Sequence, residues 1–154
     1  MHIRLIEDTD FPAVARLMRL LSDEFIVNES SPDAAASFSK ENDEEGIRAF
    51  VRAGMVYYVA ETDNRIAGFI ALRENKHVFH MFVDKAYHRR GIATALWEVA
   101  RQAALDRGNP GQFTVNSSNY ALPVYESLGF VRTAETQCKN GIYFNPMQLD
   151  GVSR

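Results

Sequence analysis

The sequence predicts a mixed α/β fold, with a central sheet of about six to seven strands flanked by about four helices. Three observations carry this expectation. Strand-like apolar runs at 55–61, 66–72 and 77–83 follow one another across short polar links, the layout of an antiparallel meander. The last of them leads through a tight loop around Gly91 into a segment where Ile92, Leu96, Val99 and Ala103 share one face of a 3.6-residue period. A further strand-like run at 112–116 follows that helix, so it is expected to lie parallel to 77–83 after a right-handed crossover.

The remaining elements follow in order. Ile3 and Leu5 open the chain as a short strand. Asp8, Thr9 and Asp10 offer helix caps, and Pro12 falls in the first helical turn, where its missing N–H does no harm. Val14, Leu17, Met18 and Leu21 then share one face of an amphipathic helix ending near Phe25. From 28 to 45 the chain is polar and small-residue-rich with weak periodicity. A short helix starting near Asn42 carries Ile47, Phe50 and Val51 towards Gly54. Its acidic start (Glu41, Asp43, Glu44, Glu45) reads as a capped, solvated helix terminus, with attraction of a cationic acceptor as the alternative. Residues 62–65 make a turn, and Gly68 marks a close approach of backbone within the next strand. Gly108 caps the long helix. A short helix within 120–128 closes on Gly129, and two late strands, 130–134 and 142–149, are separated by a stretch that includes Asn140-Gly141.

Composition bounds the function. A chain of 154 residues, 46% hydrophobic and 24% charged, fits one domain spanning 1–154. A net charge of −3 argues against binding nucleic acid by neutralising phosphates. No apolar run approaches the ~20 residues that cross a bilayer, and the N-terminus lacks the layout of a signal peptide, so no membrane association and a cytoplasmic location are expected. The single Cys138 cannot form an internal disulfide. No cluster has metal-ligand spacing, and no metal is expected.

The chemistry lies at the strand-to-helix junction His88-Arg89-Arg90-Gly91-Ile92-Ala93-Thr94. The first N–H groups of a helix lack intrahelical partners and carry the positive end of its dipole. Gly91 and Ala93 let backbone approach a ligand, and the two arginines add positive charge, so a phosphate is the natural guest. The stretch from Val83 to Leu96 resembles the acyl-CoA signature of the GNAT superfamily of N-acetyltransferases. That signature is a strand ending in Val, a short link, Arg or Gln, two residues, Gly, one residue, and Gly or Ala. His88 stands where Arg or Gln is usual, whereas Gly91 and Ala93 match. Ser118 to Phe130 is similar to the second GNAT segment: Ala121, Tyr125, Gly129 and Phe130 hold its positions, Ser118 sits where Asn is common, and Asn119 is one place late.

The resemblance implies a GNAT-like acyl-CoA N-acyltransferase fold whose central parallel strands splay apart. Acetyl-CoA is the implied co-substrate. Its pantetheine arm would pair with main chain of Phe82 and Val83, and its pyrophosphate would lie on the N–H groups of Arg90, Gly91, Ile92, Ala93 and Thr94. His88 and Arg89 would stand beside the phosphates, and Ser118 or Asn119 would contact the arm. Tyr125 matches the family's general acid. For the base, His77 occupies the strand position where some relatives carry glutamate, with His80, Glu74 and a water relay as rivals. No cysteine lies in either motif, so direct attack by a primary amine in a ternary complex is expected. The acceptor, a small molecule or a peptide, is not legible. Dimers are common in the family, and a homodimer is compatible with the sequence. The alternative is a non-catalytic acyl-CoA sensor or scaffold; the absence of Gly-Lys-Ser/Thr and of a Gly-x-Gly-x-x-Gly run argues against a nucleotide site.

Overall fold

The computed structural model of the chain describes residues 1–150. Strand β1 (His2–Leu5) is followed by three helices, α1 (Phe11–Phe25), α2 (Pro32–Glu41) and α3 (Glu44–Arg52). The meander comes next: β2 (Val56–Thr62), β3 (Arg65–Arg73) and β4 (His77–Val83). Helix α4 (Ile92–Asp106) leads to β5 (Gln112–Ser117), α5 (Leu122–Ser127) and three last strands, β6 (Val131–Arg132), β7 (Gln137–Lys139) and β8 (Ile142–Asp150). The sheet runs β1-β2-β3-β4-β5-β8-β6, with β7 hairpinned onto β8; among the described residues only β4 and β5 are parallel. The mixed α/β class is as the sequence predicts, with slightly more elements: eight strands and five helices.

Local chemistry accounts for the turns. Asp63 and Asn64 take φ of 54° and 60°, the left-handed pair that a two-residue hairpin requires, and Asn140-Gly141 does the same between β7 and β8 at 53° and 81°. Gly108, at φ 102°, follows the C-terminus of α4 as expected. Arg4 binds Asp10 with two hydrogen bonds, at 2.7 and 3.1 Å, tying β1 to the start of α1. The guanidinium holds the Asp10 carboxyl below its usual range.

Two elements are absent from the sequence reading, the three-residue strand β7 and helix α2. Ser31 caps the helix by accepting from the Ala34 N–H at 3.2 Å, and Pro32 occupies its first position. Only Ala34 is fully buried, so the helix has almost no apolar period to read. A Cβ on Gly141 would collide with Ala34, so the tip of the β7–β8 hairpin sits directly on this helix.

Side chains pack on both faces of the sheet. Val14, Leu17 and Met18 of α1 and Ile47 of α3 cover Val59 and Phe69 on one face. On the other, Trp97 of α4 meets Phe113 at 4.9 Å and Phe130 at 5.3 Å, both edge-on. The buried stripe of α4 is Ile92, Leu96, Ala100 and Ala104 with Trp97, whereas Val99 and Ala103 are half-buried at its border. No helix among the described residues is long and apolar enough to cross a membrane.

Two irregularities in β4 create the site. Against β3, the register runs Ala71↔His80 and then Leu72↔Val78, so Phe79 is an extra residue in a bulge. Against β5, only His77↔Thr114 and Val78↔Val115 pair, and the two strands then part. Gly68 lets β3 follow β4 up to Val83, because a Cβ there would lie 2.8 Å from the Phe82 carbonyl oxygen. Gly68→Ala should therefore lower stability by about 1–3 kcal/mol in urea denaturation through overpacking. An unchanged midpoint would show that the strands have room to spare.

Candidate active site

A cleft of about 1150 Å³ opens where β4 and β5 part. Its walls include Phe79 to Val83, Asn116 and Ser117, the loop carrying His88 and Arg89, the first turn of α4, and Tyr125. β3 occupies one edge of β4 as far as Val83, so the edge facing β5 is without a strand partner from Phe79 onward. Phe82 and Val83, predicted to pair with an extended ligand, lie on that edge.

The loop is set by its own backbone. Asp84 Oδ1 accepts from the Ala86 N–H at 2.9 Å and starts a single 3-10 turn, Lys85–Tyr87. The His88 Nε2–H donates to the Val83 carbonyl at 2.8 Å; a carbonyl can only accept, so Nε2 carries the proton. His88 thus braces the end of β4, a role open to it where the family usually has Arg or Gln. Arg89 and Gly91 both take positive φ, 66° and 76°. A Cβ at Gly91 would meet no protein atom within 4 Å, so within the protein it is the backbone angle that calls for glycine. Gly91, Ile92, Ala93 and Thr94 line the cleft with the open N-terminus of α4, and Arg89 stands beside them. The Arg90 guanidinium instead lies over the Tyr87 ring, 5.3 Å from its centroid. This end of the cleft is suited to an anion.

Across the wedge, Tyr125 is buried on α5, with its ring edge-on to Phe130 at 5.6 Å. Burial pushes its phenol above the usual value, so it stays protonated through the physiological range. Of the two residues predicted as alternatives for the pantetheine arm, Ser118 lines the cleft, its Oγ accepting from the Ala121 N–H at 3.1 Å. The Asn119 side chain is engaged elsewhere: its Nδ2 reaches the Glu29 carboxylate at 3.2 Å, and its Oδ1 accepts from Asn145 Nδ2 at 2.9 Å. Asn145, fully buried, also donates to the Ser117 carbonyl at 3.1 Å and accepts from Arg132 and Thr136. No sequence pattern marks this residue, yet it fixes the end of β5 beside the cleft. Among the described residues no group of three His, Cys, Asp or Glu side chains could hold a metal ion.

A family model for the acetyltransferase (GNAT) domain matches residues 26–150. The chain belongs to the GNAT family. Human N-acetyltransferase 8 is 32% identical to this GNAT chain over an alignment of 96 residues that covers 54% of the chain and 41% of that protein; the match thus spans less than half of the relative's length. The crystal structure of a GCN5-related N-acetyltransferase from Rhodopseudomonas palustris superposes with a TM-score of 0.82 at 21% identity, covering 97% of this chain and 94% of that one. PaiA N-acetyltransferase from Thermoplasma acidophilum, in complex with coenzyme A, superposes with a TM-score of 0.77 at 15% identity, over 98% and 100% of the two chains. At these identities the two structures show the GNAT fold alone.

Within this GNAT cleft the three histidines considered from the sequence are placed differently: His80 and His88 line it and His77 does not. His77 sits at the end where β4 and β5 are still paired, its Nδ1 2.7 Å from Thr114 Oγ1, and it does not line the cleft. The wedge has not opened at its level. Glu74 belongs to the β3–β4 turn, with φ 53°, and does not line the cleft either. His80 does. The bulge at Phe79 puts both Phe79 and His80 against Phe50 of α3, at 5.0 and 5.9 Å between rings, and His80 Nδ1 lies 3.0 Å from the Tyr57 hydroxyl. Burial lowers the His80 pKa to about 3; burial first, then Arg73 and Lys76, lowers that of His77 to about 4. Both are neutral at pH 7. The unfolded chain takes up a proton on each near pH 6.5. Folding stability, full above that value, should therefore fall on acidification from pH 7 towards 5. Melting temperatures across that range check it, and His80→Phe should flatten the slope; an unchanged slope would place the titration elsewhere.

Proposed function

We propose that this chain is an acetyl-CoA-dependent N-acetyltransferase that acetylates a primary amine by direct attack in a ternary complex. The carrying observation is the wedge itself, which runs from the open N-terminus of α4, along an unpaired strand edge, to a protonated phenol. The names of the human relative and of the coenzyme A complex support the same reading. The residues fit the cofactor. A polyanion meets the amides of Gly91 to Thr94 and the Arg89 side chain. An extended amide-bearing arm can pair with main chain of Phe82 and Val83 as an added strand, with Ser118 opposite.

Acetyl-CoA supplies the acetyl group as a thioester whose C–S bond breaks as the amine nitrogen bonds to the carbonyl carbon. Tyr125 holds its proton until that moment and passes it to the departing sulfur, and the proton that the nitrogen sheds on becoming an amide returns to the phenolate, directly or through water. His80 is neutral and buried, and so poorly suited to hold the amine's proton as an imidazolium. The acceptor therefore reacts as a free amine, and losing its proton at pH 7 costs about 4–5 kcal/mol for a lysine-like group and about 1 for an α-amino group.

Three measurements test this. Acetyl-CoA and CoA should raise the melting temperature, with about 2.7 kcal/mol of stabilisation at a hundred times Kd, and ATP should not; the reverse pattern would end the proposal. Tyr125→Phe should lower kcat by ~10²-fold or more with KM for acetyl-CoA unchanged. Unchanged turnover would remove the phenol from the chemistry. The pH profile of kcat/KM should rise towards the acceptor's own amine pKa without an inflection near 6.5; such an inflection would reveal a titrating histidine in the site.

A further inference from the structure

The two ends of the cleft differ in chemistry. His88 and Arg89 stand at the α4 end, whereas the end under α1, α2 and α3 is lined by Phe25, Phe38, Phe50 and Phe79. Phe25 stacks on Tyr120 at 3.7 Å and 16°, so an aromatic pair spans from the end of α1 to the loop before α5. Among the described residues lining the cleft, Glu41 is the one carboxylate, and it is exposed at the end of α2. Beside it, Asn42 is 8% exposed and donates to the Phe38 carbonyl at 2.9 Å. Its Oδ1 is the one buried side-chain polar atom among the described residues without a hydrogen-bond partner.

Polyamines and aminoglycosides carry several ammonium groups. Each would have to be stripped of water against phenyl rings with a single carboxylate to share, and an unpaired charge in such a place is strongly disfavoured. One ammonium is different, since the rim carboxylate can attract it and aromatic faces can accommodate it. A bulky apolar body behind the nitrogen fills the aromatic end and displaces water from it. Asn42 Oδ1 gains a partner if an N–H is offered there.

Resting on the acetyl-transfer reading, we infer that the acceptor is a primary monoamine on an aromatic or branched aliphatic body, seated among Phe25, Phe38, Phe50 and Phe79, with Glu41 drawing it in. Free amines and the N-terminus of a peptide beginning with an apolar residue share this chemistry.

The test is acetyl-CoA-dependent CoA release with 2-phenylethylamine, isoamylamine, a short peptide starting with Phe, spermidine and kanamycin. kcat/KM for the best apolar amine should exceed that for spermidine and kanamycin by at least about tenfold. The ratio between the free amines and the peptide identifies the source. Glu41→Gln should raise KM for the amine a few-fold at low salt and less at high salt, leaving KM for acetyl-CoA and the melting temperature unchanged. Phe50→Ala should raise KM for 2-phenylethylamine about tenfold, and Phe50→Leu, which keeps the packing, should raise it less. Equal or better turnover of spermidine or kanamycin overturns the inference and leaves acetyl transfer standing. So does the failure of every apolar amine while acetyl-CoA still stabilises the protein. Absence of both stabilisation and CoA release would instead sink the acetyl-transfer reading beneath it.

Discussion

The parting of β4 from β5 after Val78 is the constraint on which the site depends. Each strand keeps its outer partner: β3 follows β4 to the Gly68↔Val83 pair, and β8 follows β5 to Ser117↔Asn145. Only the two inner edges lose their ladder. Buried main-chain groups without partners would be costly, but these face a cleft in which water or a ligand can satisfy them. The opening is secured at both sides, by the His88 bond to Val83 on β4 and by the Asn145 bond to Ser117 on β5.

From that wedge the protonation states follow. Tyr125 is buried among apolar neighbours, which disfavours the phenolate, and His80 is enclosed by rings, which disfavours the imidazolium. Desolvation thus leaves one group that keeps its proton at neutral pH, the Tyr125 phenol, and an imidazole at His80 that takes none up. Charge is confined to the ends, with Arg89 beside the α4 amides and Glu41 at the far rim.

The far end is covered by contacts that are individually weak. Lys85 meets Glu24 at 2.7 Å, Asn119 meets Glu29 at 3.2 Å, and Phe25 stacks on Tyr120. The polar contacts are exposed, and surface ion pairs contribute ~0–1 kcal/mol. The aromatic stack and the seat of α2 on the β7–β8 turn carry more of this cover, because they remove apolar surface from water. The helices that line this end, α1, α2 and α3, lie outside the two recognisable motifs, and α2 among them is the least patterned in the chain.

The meander, the long helix and the glycine loop were legible because each is encoded by neighbours in sequence: apolar runs bounded by turn residues, a periodic stripe, and a glycine with the backbone angle that requires it. Helix α2 escaped because it buries one alanine fully and shows almost no stripe, although Ser31-Pro32 marks its start. His77 was selected by counting back along β4, which assumes an unbroken strand in an open wedge. The extra residue at Phe79 and the pairing with Thr114 put His80, and not His77, on the cleft wall. Likewise, Ser118 and Asn119 are adjacent in sequence, and only the Asn145 network draws one of them away. Most of the elements, the glycine loop and membership of the family could be read in the sequence, since these rest on local patterns. Which side chains meet in the cleft was decided by the tertiary structure, because a bulge, a splay and a buried amide depend on strands brought together from distant parts of the chain.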